Sequence, residues 1–319
     1  GGVGLNDTKM DSILGSGAAG AIDMGWGESR DLEVIESHGV LESEERRVGE
    51  RAVKRGMKAL GTLGSGNHFL ELQVVDRVED QAAAKAFGIR EGQVTAMIHT
   101  GSRGLGHQVC SDHVATIESK YQRDEDHWLA PEWDYRLRDR QLAAAPLFSR
   151  EGNAYLDAMR AAGNYAFANR SALTQRLRNV LRSELGVDGG LDVVYDVSHN
   201  IAKVEDHIVH GKSCKCCVHR KGATRALGGN HPELANRFSG VGQPVLVPGD
   251  MGTASWVLAG PKSGANDAFS SSCHGAGRQM SRTAARKTID SSALRQRLES
   301  SGIHVRAKTP LSLIHISEP

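Results

Sequence analysis

Four histidines stand in settings that suit metal or phosphate chemistry. His274 sits in Ser272-Cys-His-Gly-Ala-Gly277, just before a helix-like run over residues 278–287. A helix N-terminus exposes unpaired N–H groups and the positive end of a dipole, which together cradle a phosphate. Glycine lets the backbone approach an anion closely. A histidine held there can attack phosphorus as a nucleophile. His68 opens an apolar run after Gly64-Ser-Gly-Asn67. His99 closes a second run and precedes Thr100-Gly-Ser-Arg-Gly104, and His199 closes a third and precedes Asn200. Histidines at strand ends beside glycine loops can converge on one point, as metal ligands must. Any one of them is equally well explained by a hydrogen-bonded histidine, but three with the same placement favour ligation. Neutral imidazole serves Mn, Fe, Co, Ni or Zn and does not choose among them.

Further donors lie in the same loops. Asn67, Glu71 and Asn200 could hydrogen-bond a nucleotide or orient the ligands. Glu71 follows His68 by three residues, which on a flat strand points it to the opposite pleat face. Arg103, Arg278 and Arg282 could contact phosphate. The basic run His219-Arg-Lys-Gly-Ala-Thr-Arg225 divides evenly between phosphate binding and a solvated turn.

These residues need elements to hold them. Small and apolar residues over 7–27 predict a helix ending near Gly25, and the charged stretch 41–56 predicts a solvated one. Residues 68–75 and 93–99 read as strands beside glycine clusters. Helices follow over 106–120 and from about Asn153 to Leu185, the latter apolar along Tyr155, Met159, Ala162, Ala166, Leu173 and Leu177. Its Asn169, Arg170, Arg176 and Arg178 are expected on another face, and residues 124–150 are expected to be irregular. Residues 191–197 predict a strand into His199, 203–219 a hairpin around His210-Gly211, and 245–249 a strand-to-loop junction. Strands and long helices intermingle without a βαβ beat, so the expected class is α+β, mixed small sheets with flanking helices in one compact domain.

The 319 residues are enough for a sizeable core, and 39% hydrophobic with 24% charged residues is ordinary globular composition. A formal net charge of +1 means that nucleic acid would be met by a local patch, without a bulk field. Many of the 37 glycines cluster in loops, the usual material of a loop-built site. Three of the five cysteines crowd into Ser213-Cys-Lys-Cys-Cys-Val218, which suits a reducing compartment better than a disulfide scaffold. That run lacks paired Cys-x-x-Cys spacing and reads as a strand with incidental thiols. No apolar run reaches transmembrane length and no signal peptide is visible, so a cytoplasmic protein is expected. The first and last residues look like cut ends, and residues 308–319 look unrelated to what precedes them.

As a set, six segments resemble the RtcB family of RNA-splicing ligases. They are Leu63-Gly-Ser-Gly-Asn-His-Phe-Leu-Glu71, His99-Thr-Gly-Ser-Arg-Gly-Leu-Gly-His-Gln108, Asp196-Val-Ser-His-Asn200, Val218-His-Arg-Lys-Gly-Ala-Thr-Arg-Ala226, Pro248-Gly-Asp-Met-Gly-Thr-Ala-Ser255 and Ser272-Cys-His-Gly-Ala-Gly-Arg278. The likeness runs over residues 1–307. It implies a GTP- and Mn²⁺-dependent enzyme that joins RNA 3′-phosphate or 2′,3′-cyclic phosphate ends to 5′-hydroxyl ends, in tRNA splicing or RNA repair. By matching position, His274 takes the role of the histidine that attacks the α-phosphate of GTP. His68, His99 and His199 take the roles of Mn²⁺ ligands, with two ions expected. Asn67, Glu71, Asn200, Pro248, Gly249, Asp250, Met251, Ser255, Gly275, Ala276 and Gly277 match the GTP pocket, and Arg103 and Arg282 match arginines near the RNA. The family's Asp-x-x-Cys metal-binding stretch and its C-terminal lysine and tyrosine find no match here, so impaired activity is expected of the chain as written. Two other readings compete: a metal-dependent cyclic phosphodiesterase or phosphatase, and an RNA-binding module with structural histidines. Low charge and the lack of an aromatic platform weigh against the latter.

Overall fold

The computed structural model describes residues 2–45, 47–122, 142–186, 190–275 and 287–306. In chain order the elements are α1 (Asp7–Asp23), α2 (Glu50–Met57), β1 (Phe69–Val74), α3 (Gln81–Phe87), β2 (Val94–His99), α4 (Arg103–Tyr121), α5 (Arg150–Leu185), β3 (Asn200–Val209), β4 (Lys212–Lys221), β5 (Ala223–Arg225), β6 (Pro244–Val247), β7 (Trp256–Ala259), β8 (Ser271–Cys273) and α6 (Ser291–Ser300). The class is α+β. Contacts gather these elements into two compact units, one of residues 1–62 and 101–191, the other of residues 63–100 and 192–319. No described helix is long and apolar enough to cross a membrane.

The first unit is helical. Met10, Ile13 and Leu14 of α1, Leu105 and Val109 of α4, and Ala158, Ala161, Tyr165 and Ala168 of α5 share its core. Gly17 breaks α1 at φ 54°, ψ −127°. A Cβ there would stand 2.2 Å from the Gly39 carbonyl oxygen, so only glycine permits this approach. Ser149 caps α5 through Gly152 N–H, and Gly186 in the left-handed region ends it.

One expectation fails here. The predicted 41–56 helix is present only as α2, because the preceding chain wraps the Asp157 carboxylate. Ser43 Oγ and the Glu44 N–H donate to one oxygen at 3.0 and 2.8 Å, and the Arg47 N–H donates to the other at 3.2 Å. Converging donors of this kind are incompatible with helical N–H groups pointing along one axis. On α5, Asn169 and Arg178 are themselves buried. Asn169 accepts from Gly61 N–H and donates to Gly101 O, while Arg178 forks onto Asp31 with two 2.7 Å bonds.

The second unit is built from antiparallel two-stranded pairings, β1–β2, β3–β4, β5–β8 and β6–β7. The β1–β2 register runs from Phe69 opposite His99 to Val74 opposite Val94. The expected hairpin is β3–β4, and His210 and Gly211 at its tip both have positive φ (49° and 76°), as a type I′ turn requires. The cysteine-rich run lies in β4, and no cysteine is in a disulfide. The predicted 191–197 strand is absent apart from a single bridge at Asp196. Its Val193 and Val194 carbonyls accept from the Arg237 guanidinium instead of from a neighbouring strand. The irregular segment expected over 124–150 lies largely outside the described residues, as do the tail 308–319 and most of the helix-like run 278–287.

Candidate metal and nucleotide site

A backbone clasp in the second unit brings two of the histidines together. The hairpin ends at Lys221, opposite Asn200, and the next residue is Gly222. Gly222 N–H donates to the His199 carbonyl at 2.9 Å, and its own carbonyl accepts from His274 N–H at 3.2 Å. The β5–β8 register, with Ala223 opposite Cys273, continues the same alignment. The two imidazoles therefore stack, with centroids 3.8 Å apart and planes 11° from parallel.

His99 arrives from the end of β2. Directly paired residues share a face, so His99 projects on the side of Phe69, whose ring meets it edge-on at 5.2 Å. His99 Nε2 lies 3.4 Å from His199 Nε2, and its centroid is 5.2 Å from that of His274. One nitrogen from each of His99, His199 and His274 falls within 4.8 Å of the others. His68 stands just outside, its ring centroid 6.1 Å from that of His99. The four histidines thus meet in one place, with His274 inside the tight trio and His68 beside it.

The trio fits a cation. Two nitrogens bound to one tetrahedral ion at about 2.1 Å stand roughly 3.4 Å apart. Both ring nitrogens of His274 are buried, and no described group meets hydrogen-bond geometry with either. Buried polar atoms are normally paired, so this orphaned ring points to a missing ligand. Burial also lowers the His274 pKa, against a smaller opposing effect of the Leu246 backbone. Neutral imidazole, the ligating and nucleophilic form, is favoured as a result.

The wall beside the trio comes from β1 and the loop between β6 and β7. Glu71 and Gln73 share the Phe69 face, and Gln73 Nε2 donates to Glu71 at 2.8 Å and to Ser255 Oγ at 3.2 Å. Ser255 Oγ accepts in turn from Gly249 N–H at 3.1 Å. Glu71 therefore lies on the His99 side of the sheet; His68 precedes β1, so its spacing to Glu71 does not set a pleat face. Burial raises the Glu71 pKa, partly offset by the Gln73 hydrogen bond. A Cβ on Gly249 would approach Ala254 O at 2.5 Å, which explains glycine in so tight a loop. Asp250 folds onto Gly252 N–H at 2.6 Å, and Met251 packs on Leu294 and Leu298 of α6. Pro248 is half-buried at the loop entry, whereas Asn67, Asn200 and Gly275 are exposed.

Arg103 belongs to the first unit, where it opens α4 at φ 54° and donates from Nε to Thr62 Oγ1 at 3.3 Å. Ala276, Gly277, Arg278 and Arg282 lie outside the described residues. In the basic run, Arg220 and Arg225 are buried and bonded, Arg220 to Glu205 and Arg225 to Glu233, so neither serves a surface phosphate. Gln73 and Gly222 are the participants that the motif reading missed. Period-two alternation from Phe69 would have found Gln73, but nothing local marks Gly222.

An α+β protein with imidazoles gathered on strand ends, walled by a glycine loop, is the class that fold and site define. A family model described as tRNA-splicing ligase RtcB matches residues 1–315, and the chain belongs to that family. A protein of Archaeoglobus fulgidus named tRNA-splicing ligase RtcB is 46% identical over 307 residues, 95% of this chain and 62% of that one. A relative of the same name from Thermococcus kodakarensis is 47% identical over 309 residues, 96% of this chain and 62% of its own. The Mycobacterium tuberculosis protein named RNA-splicing ligase RtcB is 48% identical over 298 residues, 93% and 66% of the two chains. The chain thus spans a little under two thirds of the length of the archaeal pair.

Proposed function

We propose that this chain carries the centre of a GTP- and Mn²⁺-dependent RNA ligase that joins 3′-phosphate or 2′,3′-cyclic phosphate ends to 5′-hydroxyl ends, as in tRNA splicing or RNA repair. The observation that supports it most is His274, a half-buried, neutral-favoured imidazole whose two ring nitrogens are buried without a described partner, set against His99 and His199. His99 and His199, with His68 beside them, would hold the cation. Bound Mn²⁺ supplies neutralisation of charge on phosphoryl oxygens. The His274 ring attacks the α-phosphorus of GTP, forming an N–P bond as the bond to pyrophosphate breaks. The guanylate then passes to the RNA 3′-phosphate, and the 5′-hydroxyl displaces GMP. Ser255, Gln73 and Glu71 line the wall where the nucleotide would lie, and the stacked His199 fixes the plane of the attacking ring.

The test is incubation with Mn²⁺ and GTP labelled at the α-phosphorus. A covalent label weaker than that of the Archaeoglobus relative, needing Mn²⁺ and disappearing in His274→Ala, is expected. A label that survives in His274→Ala, or none where the Archaeoglobus relative is labelled, overturns the proposal. One observation favours a second reading: His274 lies within the ligand-like trio, as the third ligand of a metal-dependent phosphodiesterase would. That enzyme would hydrolyse cyclic phosphate ends without GTP.

A further inference from the structure

We propose that Cys217 and His219 form a thiol–imidazole dyad on the β3–β4 hairpin, and that Cys217 is a site of covalent modification by small disulfides of the glutathione class. The inference does not depend on the ligase reading. Cys217 Sγ lies 3.6 Å from His219 Nε2. Both belong to β4, which pairs with β3 along its whole length from Lys212 to Lys221, so their spacing is fixed by the sheet. Alternation puts Cys217 and His219 on one face with Lys215 and Lys221. His219, Lys215 and Lys221 are exposed there. Asp206, opposite Lys215, is the acidic residue of the hairpin on that side. Cys214 and Cys216 project on the other, half-buried face, where the Cys216 thiol points at the Cys214 carbonyl.

The chemistry follows from that difference. A thiolate is the nucleophile in disulfide exchange, and an imidazole and cationic neighbours favour its formation. His219 takes the Cys217 proton, and the thiolate attacks one sulfur of glutathione disulfide. A Cys217–glutathione S–S bond forms as the S–S bond of the reagent breaks. The departing glutathione thiolate keeps the bonding pair and recovers the proton from His219. The lysines on the same face also match the carboxylates of that reagent. The adduct would sit on the strand that runs directly into Gly222, the clasp of His199 and His274.

Exposure alone predicts a different order, because Cys110 and Cys273 are the exposed thiols and Cys217 is half-buried. The experiment treats the intact chain with limiting glutathione disulfide and maps the rate at each cysteine by peptide mass spectrometry. Cys217 is expected to react first, on the order of tenfold faster than Cys214 and Cys216. His219→Ala and His219→Asn should each bring Cys217 down to the rate of those two without changing theirs. Earlier reaction at Cys110 or Cys273, or an unchanged Cys217 rate in both His219 variants, overturns the proposal.

Discussion

Buried polar side chains end differently in the two units. In the helical unit, Asn164 accepts from Leu41 N–H at 2.7 Å and donates to the Leu14 and Leu41 carbonyls at 2.8 Å each. Asn169 is likewise spent on the backbone of Gly61 and Gly101. In the hairpin unit, Arg220 and Arg225 are also spent, but both nitrogens of His274 are buried with no described partner. A satisfied buried amide fixes the chain path, whereas an unsatisfied imidazole is held for something from outside. On the proposed reading, burial marks structure in one case and chemistry in the other, and hydrogen-bond pairing separates the two.

The sharpest way to break this contrast is to truncate one residue of each kind. His274→Ala should lower covalent GTP labelling by about a thousandfold or more, as removing a nucleophile does. Its unfolding free energy should fall by less than that of Asn164→Ala, the loss being the His199 stack and a contact with the Leu246 backbone. Asn164→Ala should do the reverse, losing about 3 kcal/mol in a denaturant titration because buried backbone groups are left unpaired. Equal destabilisation by both would erase the distinction.

A smaller effect separates buried from exposed ion pairs. Glu205 is half-buried; burial is the largest influence and pushes its pKa up, but the Arg220 hydrogen bonds and charge, the His207 hydrogen bond and the Lys203 charge together hold it below the ordinary carboxylate value. A carboxyl depressed in the folded state stabilises above its unfolded pKa, and that contribution fades as pH falls through the folded value. Glu205→Gln should therefore cost about 2 kcal/mol near neutral pH, discounted for partial exposure. The two proteins should converge in stability on acidification below the ordinary glutamate range. In the helical unit, Glu151 is held down to about 2 by hydrogen bonds from Lys120 and Tyr121, and it is half-buried while its partner Lys120 is exposed. Glu151→Gln should lower the denaturation midpoint by less than Glu205→Gln does, because the exposed Lys120 charge stays solvated.

The sequence made the strand-end histidines legible because glycine and alternation are local signals. Phe69–Val74, Val94–His99 and the His210-Gly211 turn fall where period two and turn chemistry put them. The stacking of His199 on His274 was not legible, since it depends on Gly222 contacting two distant backbones. The lost strand at 191–197 and the shortened helix at 41–56 fail for a related reason. In each case a distant side chain, Arg237 or Asp157, captures the backbone groups that a regular element would have used. That Asn169 and Arg178 are buried with partners was not legible, since those partners lie far along the chain.

Mn²⁺ titration of the chain, followed by the paramagnetic signal of the free ion, probes the histidine meeting point without requiring turnover. His99→Ala and His199→Ala should each weaken binding by at least about tenfold, and His68→Ala by less. Parent-like Mn²⁺ affinity in both His99→Ala and His199→Ala would mean that these imidazoles gather for packing and hold no ion.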